Sequence, residues 1–262
     1  MSEAVHYERV REHLEALKLH AALAELDPLL EATAKEERGA AWLLDQLLTR
    51  ERDHRFERRV AANLKLSGIP SKKTLDQFDF DAQPSVPRHT LDELDTLRFL
   101  REGENVIILG PTGVGKTHIA VGLAMKAIEQ GYRAYFLTLH DLINRSRVAR
   151  EKNRLHVLHT TLLRSDVFVL DEVGFQALEL PDATFLFEAI NKRYAANKST
   201  IVTSNKSYGQ WHEIFPDPII AVALLDRLLH HSTTINIRGD SYRLRHRQQA
   251  GLPTTRQEDT MT

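Results

Sequence analysis

Gly110, Pro111, Thr112, Gly113, Val114, Gly115, Lys116 and Thr117 satisfy the pattern G-x-x-x-x-G-K-[ST] without deviation. Each residue type has a chemical reason. The glycines let backbone N–H groups approach phosphate oxygens closely. A helix opening near Lys116 adds the positive end of its dipole. Lys116 brings a cation to the β- and γ-phosphates of a nucleotide, and Thr117 brings a hydroxyl to Mg²⁺. Further along, Val167-Phe-Val-Leu170 runs into two carboxylates, Asp171 and Glu172. Behind a phosphate loop, the first would hold the magnesium shell and the second would polarise an attacking water. A third apolar run ends Thr203-Ser204-Asn205. Ser and Asn are also ordinary turn residues; beside a nucleotide site, Asn205 becomes a candidate sensor of the γ-phosphate or the water.

These groups need a scaffold that brings separate segments to one edge. From Asn105 onward, short apolar runs alternate with helical patterns. Val106–Leu109, Tyr135–Leu137, Val167–Leu170, Thr200–Thr203 and Thr234–Ile237 are five strand candidates. Three of them are almost continuously aliphatic or β-branched, which predicts a parallel sheet covered on both faces, hence an α/β core. Residues 1–68 read as a small helical domain. Leu14, Leu17, Ala21 and Ala24 fall on one helical face, and a second helix runs from Ala40 to Leu66 with Leu44, Leu47 and Leu48 as its apolar stripe. A plain helical bundle and a specific docking module fit this region equally. Residues 69–89 read as a linker, Thr90 to Glu93 as a capping box opening a helix that Gly103 closes, residues 90–250 as the nucleotide-binding domain, and 251–262 as a polar tail.

The bulk composition excludes several classes. The 262 residues suffice for one large domain with a smaller one attached. There is no Cys, so disulfides and thiolate metal sites are out. The apolar runs are far too short to span a membrane. The start, Met1-Ser-Glu-Ala-Val-His6, lacks a signal-peptide pattern, so a cytoplasmic location is expected. Net charge is −1 and the pI near 6.9. Any nucleic-acid surface must therefore come from local clustering. His156 with His159, and His230 with His231, have no carboxylate or Cys set at ligand spacing, so zinc is not expected.

Together these segments resemble an AAA+ ATPase of the initiator and helicase-loader group. More narrowly the chain resembles the IstB family, the ATP-binding helper proteins of bacterial insertion sequences. The runs that carry this are Leu17–Leu23, Ala61–Leu66, Lys73–Phe80, Leu109–His118, Leu170–Gly174 and above all Asp226–Arg243. The resemblance covers nearly the whole chain. It implies an AAA+ P-loop core with a parallel five-stranded sheet plus a small all-α N-terminal domain, ATP and Mg²⁺ as ligands, and His118 as part of the nucleotide contact. It also implies self-association with ATP between subunits, non-specific binding of double-stranded DNA, and a cognate transposase as partner. A helicase loader resembling DnaC is the alternative. Arg227, in the Asp-Arg-Leu motif, would be an arginine finger reaching the neighbouring subunit's γ-phosphate. AAA+ proteins often add a helical lid with a second sensor arginine. About 20 residues follow Arg243, too few for a lid, which leaves Arg243 or Arg245 as substitutes.

Between the second and third strand candidates, Arg145, Arg147, Arg150, Lys152 and Arg154 make five of ten positions basic. Initiator-type relatives use added helical structure here to touch DNA. Arg147, Arg150 and Arg154 would share one face of a helix, and such a face binds phosphates without reading bases. A solvated helix face is the other reading. A second cluster, Arg58, Arg59, Lys65, Lys72 and Lys73, spans the domain junction. A third, Arg243, Arg245, His246 and Arg247, lies near the end.

Overall fold

The computed structural model describes residues 3–242, and the chain divides into two compact units, Met1–Ala62 and Asn63–Thr262. Arg243, Arg245, His246, Arg247 and the polar tail lie outside the described residues.

The first unit is built from α1 (Glu3–Ala16), α2 (His20–Lys35) and α3 (Ala40–Leu66), the last running on into the second unit. The helix expected across residues 14–24 is broken at Lys18, whose φ is 56°. Leu17 and Ala24 are consequently exposed, and the buried core is Ala22, Leu26, Leu29 and Leu47. Of the stripe on α3, Leu47 is buried while Leu44 and Leu48 stay exposed. Glu51 explains how α2 begins. Its buried carboxylate accepts the Ala21 N–H at 2.9 Å, the Ala22 N–H at 3.3 Å and Arg55 Nε at 2.7 Å. Burial pushes this carboxyl up, but the guanidinium and the helix-end N–H groups outweigh it and hold the group below the usual range.

The second unit centres on a parallel sheet. Its strands are β1 (Asn105–Leu109), β2 (Ala134–Thr138), β3 (Val167–Val173), β4 (Ser199–Ser204) and β5 (Ser232–Asn236), in the order β2-β3-β4-β1-β5. All five strand candidates are present. α6 (Lys116–Glu129) packs on one face. The other carries α7 (Leu139–Glu151), α8 (Leu155–Arg164), α9 (Leu180–Ala195) and α10 (Pro218–Leu229). Alternation along the strands divides the two cores: Ile107, Leu109, Phe168, Leu170 and Val202 face α7–α10. The segment before β1 departs from expectation. Pro87 precedes α4 (Arg88–Asp95), so Thr90 lies inside the helix and caps nothing. Leu97, at φ 58°, then separates α4 from α5 (Arg98–Glu102), which Gly103 ends. Among the described residues no helix is long and apolar enough to cross a membrane.

Two arginines set the helices on the α7–α10 side. Arg193 is fully buried and donates to the Leu162, Ser165 and Ser199 carbonyls, fixing the end of α8 against the starts of β3 and β4. Burial lowers its pKa to about 9, leaving it charged at neutral pH. Arg147 on α7 reaches the buried Asp182 of α9, with Nε at 2.9 Å and Nη2 at 2.6 Å from Oδ2; Arg150 stands 3.6 Å from Oδ1. α7 ends at Glu151 and Asn153 is left-handed. Arg154 therefore does not share a helical face with Arg147 and Arg150.

A buried carboxylate that loses its guanidinium is strongly destabilising. Arg147→Ala is expected to lower the melting temperature by several degrees, whereas Lys152→Ala, at a residue that is exposed and in no ion pair among the described residues, leaves it unchanged. Thermal denaturation followed by circular dichroism compares the two.

Candidate functional site

β1 is buried at every position and delivers the chain into the phosphate loop at the carboxyl edge of the sheet. The loop turns into α6 at Gly115, whose φ is 100°. A Cβ there would run into the ring of Phe78, so glycine is required both for the turn and for the close approach. Lys116 lies back over the loop, its Nζ donating to the Gly110 carbonyl at 2.8 Å and the Pro111 carbonyl at 2.7 Å.

Asp171 is almost without solvent contact. Thr117 Oγ1 stands 3.0 Å from both of its oxygens, and Thr203 Oγ1 donates to Oδ1. Three elements meet here: the start of α6, β3 and β4. Pairing between β3 and β4 shifts between Leu170 opposite Val202 and Val173 opposite Ser204, a bulge that sets Asp171 and Glu172 together against Thr203. Glu172 takes up the irregularity at φ 63° and donates its N–H to Thr203 Oγ1 at 3.0 Å. A left-handed non-glycine residue costs about 1 kcal/mol or more. The bulge leaves Asp171 buried and Glu172 exposed, so two adjacent carboxylates acquire different surroundings.

β4 lies between β1 and β3, so its tip separates the loop from the acidic pair. Asn205 follows that tip. Its Oδ1 is buried with no hydrogen-bond partner among the described residues. Gly174 makes room for it, since a Cβ at residue 174 would stand 2.7 Å from that oxygen. The loop residues, Asp171, Glu172 and Asn205 are thus brought to one edge. Thr117 and Asp171 offer oxygen donors only, the set that suits a hard cation such as magnesium.

Residues 69–89 are more than a spacer. A short 3-10 turn, Leu75–Gln77, is closed by Thr74 and Gln77, and Leu75 packs where Gly122 of α6 leaves space. Phe78 is buried with its ring edge-on to His118, centroids 5.5 Å apart, and His118 Nε2 lies 2.9 Å from the Thr74 carbonyl. Burial lowers the His118 pKa, with the nearby Lys73 charge adding to it. The ring is therefore neutral at pH 7, and Nε2–H donates to that carbonyl. A cavity of about 350 Å³ results, lined by Lys73, Gln77, Phe78, Asp79 and Gln83 beside loop residues 113–118 and Tyr242. The segment after β5 seals it, with the Tyr242 N–H donating to the Gly113 carbonyl at 3.0 Å and Gln83 Nε2 to the Asp240 carbonyl at 3.1 Å. Sequence reasoning missed Gln77, Phe78, Asp79 and Gln83. The family-like run Lys73–Phe80 was the signal available. Lys73, grouped with Lys72 by charge alone, lines this nucleotide-sized cavity.

Arg227 is not brought to the loop. Asn105, at the start of β1, donates to the Leu228 carbonyl at 3.1 Å, so Arg227 sits at the amino edge of the sheet. One five-residue strand, about 16 Å at about 3.3 Å per residue, separates that edge from the loop. The Arg227 guanidinium lies over Tyr194 at 5.1 Å and beside Asp226 at 3.1 Å. Arg145 donates to the Tyr135 hydroxyl, Arg147 and Arg150 are committed to Asp182, and Lys72, Lys152 and Arg154 are exposed.

The chain has relatives in sequence and in fold. The family model described as IstB-like ATP binding protein matches residues 12–250. The chain belongs to that family. It is 42% identical over 241 residues to the ATP-binding protein of insertion sequence IS21 from Pseudomonas aeruginosa, covering 92% of this chain and 91% of that one. It is 40% identical to the corresponding protein of IS5376 from Geobacillus stearothermophilus, covering 92% and 96%. Among solved structures, the DnaC helicase loader superposes with a TM-score of 0.51 at 25% identity, over 57% of this chain and 86% of that one. The core of this IstB family member is thus an AAA+ P-loop fold, preceded by the α-helical N-terminal unit.

Thr203 holds the Asp171 carboxylate and the Glu172 backbone through one hydroxyl. Thr203→Val keeps the shape and removes both bonds, so nucleotide turnover is expected to fall at least tenfold while ATP affinity changes by less than about threefold, since the loop is untouched. Recovery of turnover in Thr203→Ser checks that the hydroxyl is responsible.

Proposed function

We propose that this chain is an ATP-hydrolysing switch in insertion-sequence transposition. It binds ATP with magnesium, self-associates with ATP between neighbouring subunits, holds double-stranded DNA without reading its sequence, and presents that DNA to a cognate transposase. The observation that carries this reading is the meeting of Lys116, Thr117, Asp171, Glu172 and Asn205 at the adjoining tips of β1, β3 and β4. The relatives named as insertion-sequence ATP-binding proteins supply its biological setting.

The residues have distinct roles in this proposal. Gly110, Gly113 and Gly115 cradle the phosphates, and Lys116 exchanges the loop carbonyls for phosphate oxygens. His118 and Phe78 back the cavity that takes the base and sugar. Thr117 and Asp171 hold magnesium, which when bound would neutralise charge on the transferred phosphate. Glu172, exposed beside the site, polarises the attacking water. The Asn205 amide orients that water or the γ-phosphate. Hydrolysis then ends the DNA-bound state. A role on DNA implies a cytoplasmic location.

Arg227 serves a neighbour. One strand length separates it from its own loop, which favours action across a subunit boundary. A guanidinium there stabilises charge developing in the transition state.

A helicase-loading role is the second reading, favoured by the likeness to the DnaC helicase loader. Co-purification with the transposase encoded in the same element, against a replicative helicase, separates the two.

Two measurements test the ATPase. Glu172→Gln is expected to keep ATP binding and slow turnover at least a hundredfold, with longer-lived DNA complexes; wild-type turnover would refute the assignment. Lys116→Ala and Arg227→Ala are each expected to be inactive alone, one lacking a pocket and the other a finger. Mixed on DNA they should recover part of the ATPase. No recovery despite demonstrated co-assembly would count against action in trans.

A further inference from the structure

We infer that the outer edge of the sheet carries a groove for the phosphodiester backbone of double-stranded DNA, formed where the end of α3, β2 and α8 meet. The inference rests on the DNA-handling role proposed above and identifies the surface that performs it.

β2 is an edge strand. The chain leaving α3 runs along it: the Phe136 N–H donates to the Ser67 carbonyl at 2.7 Å, and Asn63 Nδ2 reaches the Gly131 and Tyr132 carbonyls at 3.3 and 3.0 Å. Between this segment and the end of α8 lies an open trough of about 960 Å³. A second hollow of about 470 Å³, between α7 and α8, continues it and shares Tyr135, Arg145 and Thr161. Six cations line the two: Lys65, Arg133, Arg145, Lys152, Arg154 and Arg164. Among the described residues no carboxylate lines either. The chain as a whole has 35 basic and 36 acidic residues, so a concave surface with one sign only is a segregation of charge.

The charges there are available. All six residues are exposed, and none is in an ion pair among the described residues. Asp166, next in the chain to the trough residue Ser165, has one oxygen on Lys198 at 2.6 Å and the other on the Arg133 N–H at 2.9 Å. Arg145 is pre-oriented, its guanidinium over the Tyr135 ring at 6.0 Å and bonded to the hydroxyl, which leaves its other N–H groups for a phosphate. Arg147 and Arg150 differ, being committed to Asp182. Of the two amides in the hollows, Asn63 is committed to backbone carbonyls and Asn144 bonds His140. Long cations without amides to read base edges make a sequence-independent phosphate contact.

The test uses the full chain with a non-hydrolysable ATP analogue, a fluorescent mixed-sequence duplex and a salt titration. Lys65→Glu with Arg164→Glu is expected to weaken binding at least tenfold for every duplex at fixed salt. The slope of log affinity against log salt should fall by about two. Nucleotide affinity should stay at the wild-type value. If wild type binds DNA and the double variant matches its affinity and slope, the groove assignment is overturned. If wild type binds no duplex under any nucleotide condition, the DNA-handling role itself fails. Should the double variant lose thermal stability, Lys65→Gln with Arg164→Gln gives the same slope test without charge reversal.

Discussion

A single buried carboxylate governs the geometry of the candidate site beside the phosphate loop. Removing an ionised carboxylate from water costs several kcal/mol unless its oxygens are occupied. Asp171 meets that requirement with the Thr117 and Thr203 hydroxyls, one at the start of α6 and one on β4. The bond to Thr117 ties the helix after the loop to the strand bearing the acids. The bond to Thr203 fixes the bulge, and the bulge in turn leaves Glu172 exposed at φ 63°. The same oxygens are the donors that a hard cation would take.

The cavity beside the phosphate loop is assembled from three distant stretches of chain. Residues 73–83 wall one side, residues 113–118 form the floor, and Tyr242 closes the edge. Phe78 could not come so near the loop if residue 115 carried a side chain, and Leu75 could not seat on α6 if residue 122 did. Small residues in the loop and helix thus admit the segment that precedes the sheet. This packing explains why residues 69–89, polar and rich in turn formers, have a definite path.

Near-neutral net charge conceals two uses of arginine. On α7, Arg147 and Arg150 face the buried Asp182 and hold α7 against α9. On the β2 side, Lys65 of α3, Arg133 just before β2 and Arg164 of α8 line one trough with no acid among its described residues. Spacing along a helix groups the first set with Arg154, whereas through-space proximity separates it from the second. A guanidinium satisfied by a buried carboxylate anchors the fold, and one facing an open trough can meet a ligand.

Much of this was legible in the residues. The loop motif, the aliphatic strand ending in Asp171-Glu172 and the run to Asn205 are local patterns, and backbone hydrogen bonding with alternating burial turns local patterns into strands and turns. The five strands and their parallel arrangement followed from that. Helix punctuation was less readable: Lys18 and Leu97 break helices in the left-handed conformation at positions with no glycine or proline, where Leu97 is buried and Leu19 packs half-buried against the helical core. Only tertiary structure decided the pairing of Arg147 with Asp182, the wall built by Phe78 and Gln83, the separation of Arg227 from its own loop, and the trough beside β2. Each is a choice of partner between residues far apart in the chain. Such choices depend on which faces pack together, and sequence spacing carries no measure of that distance.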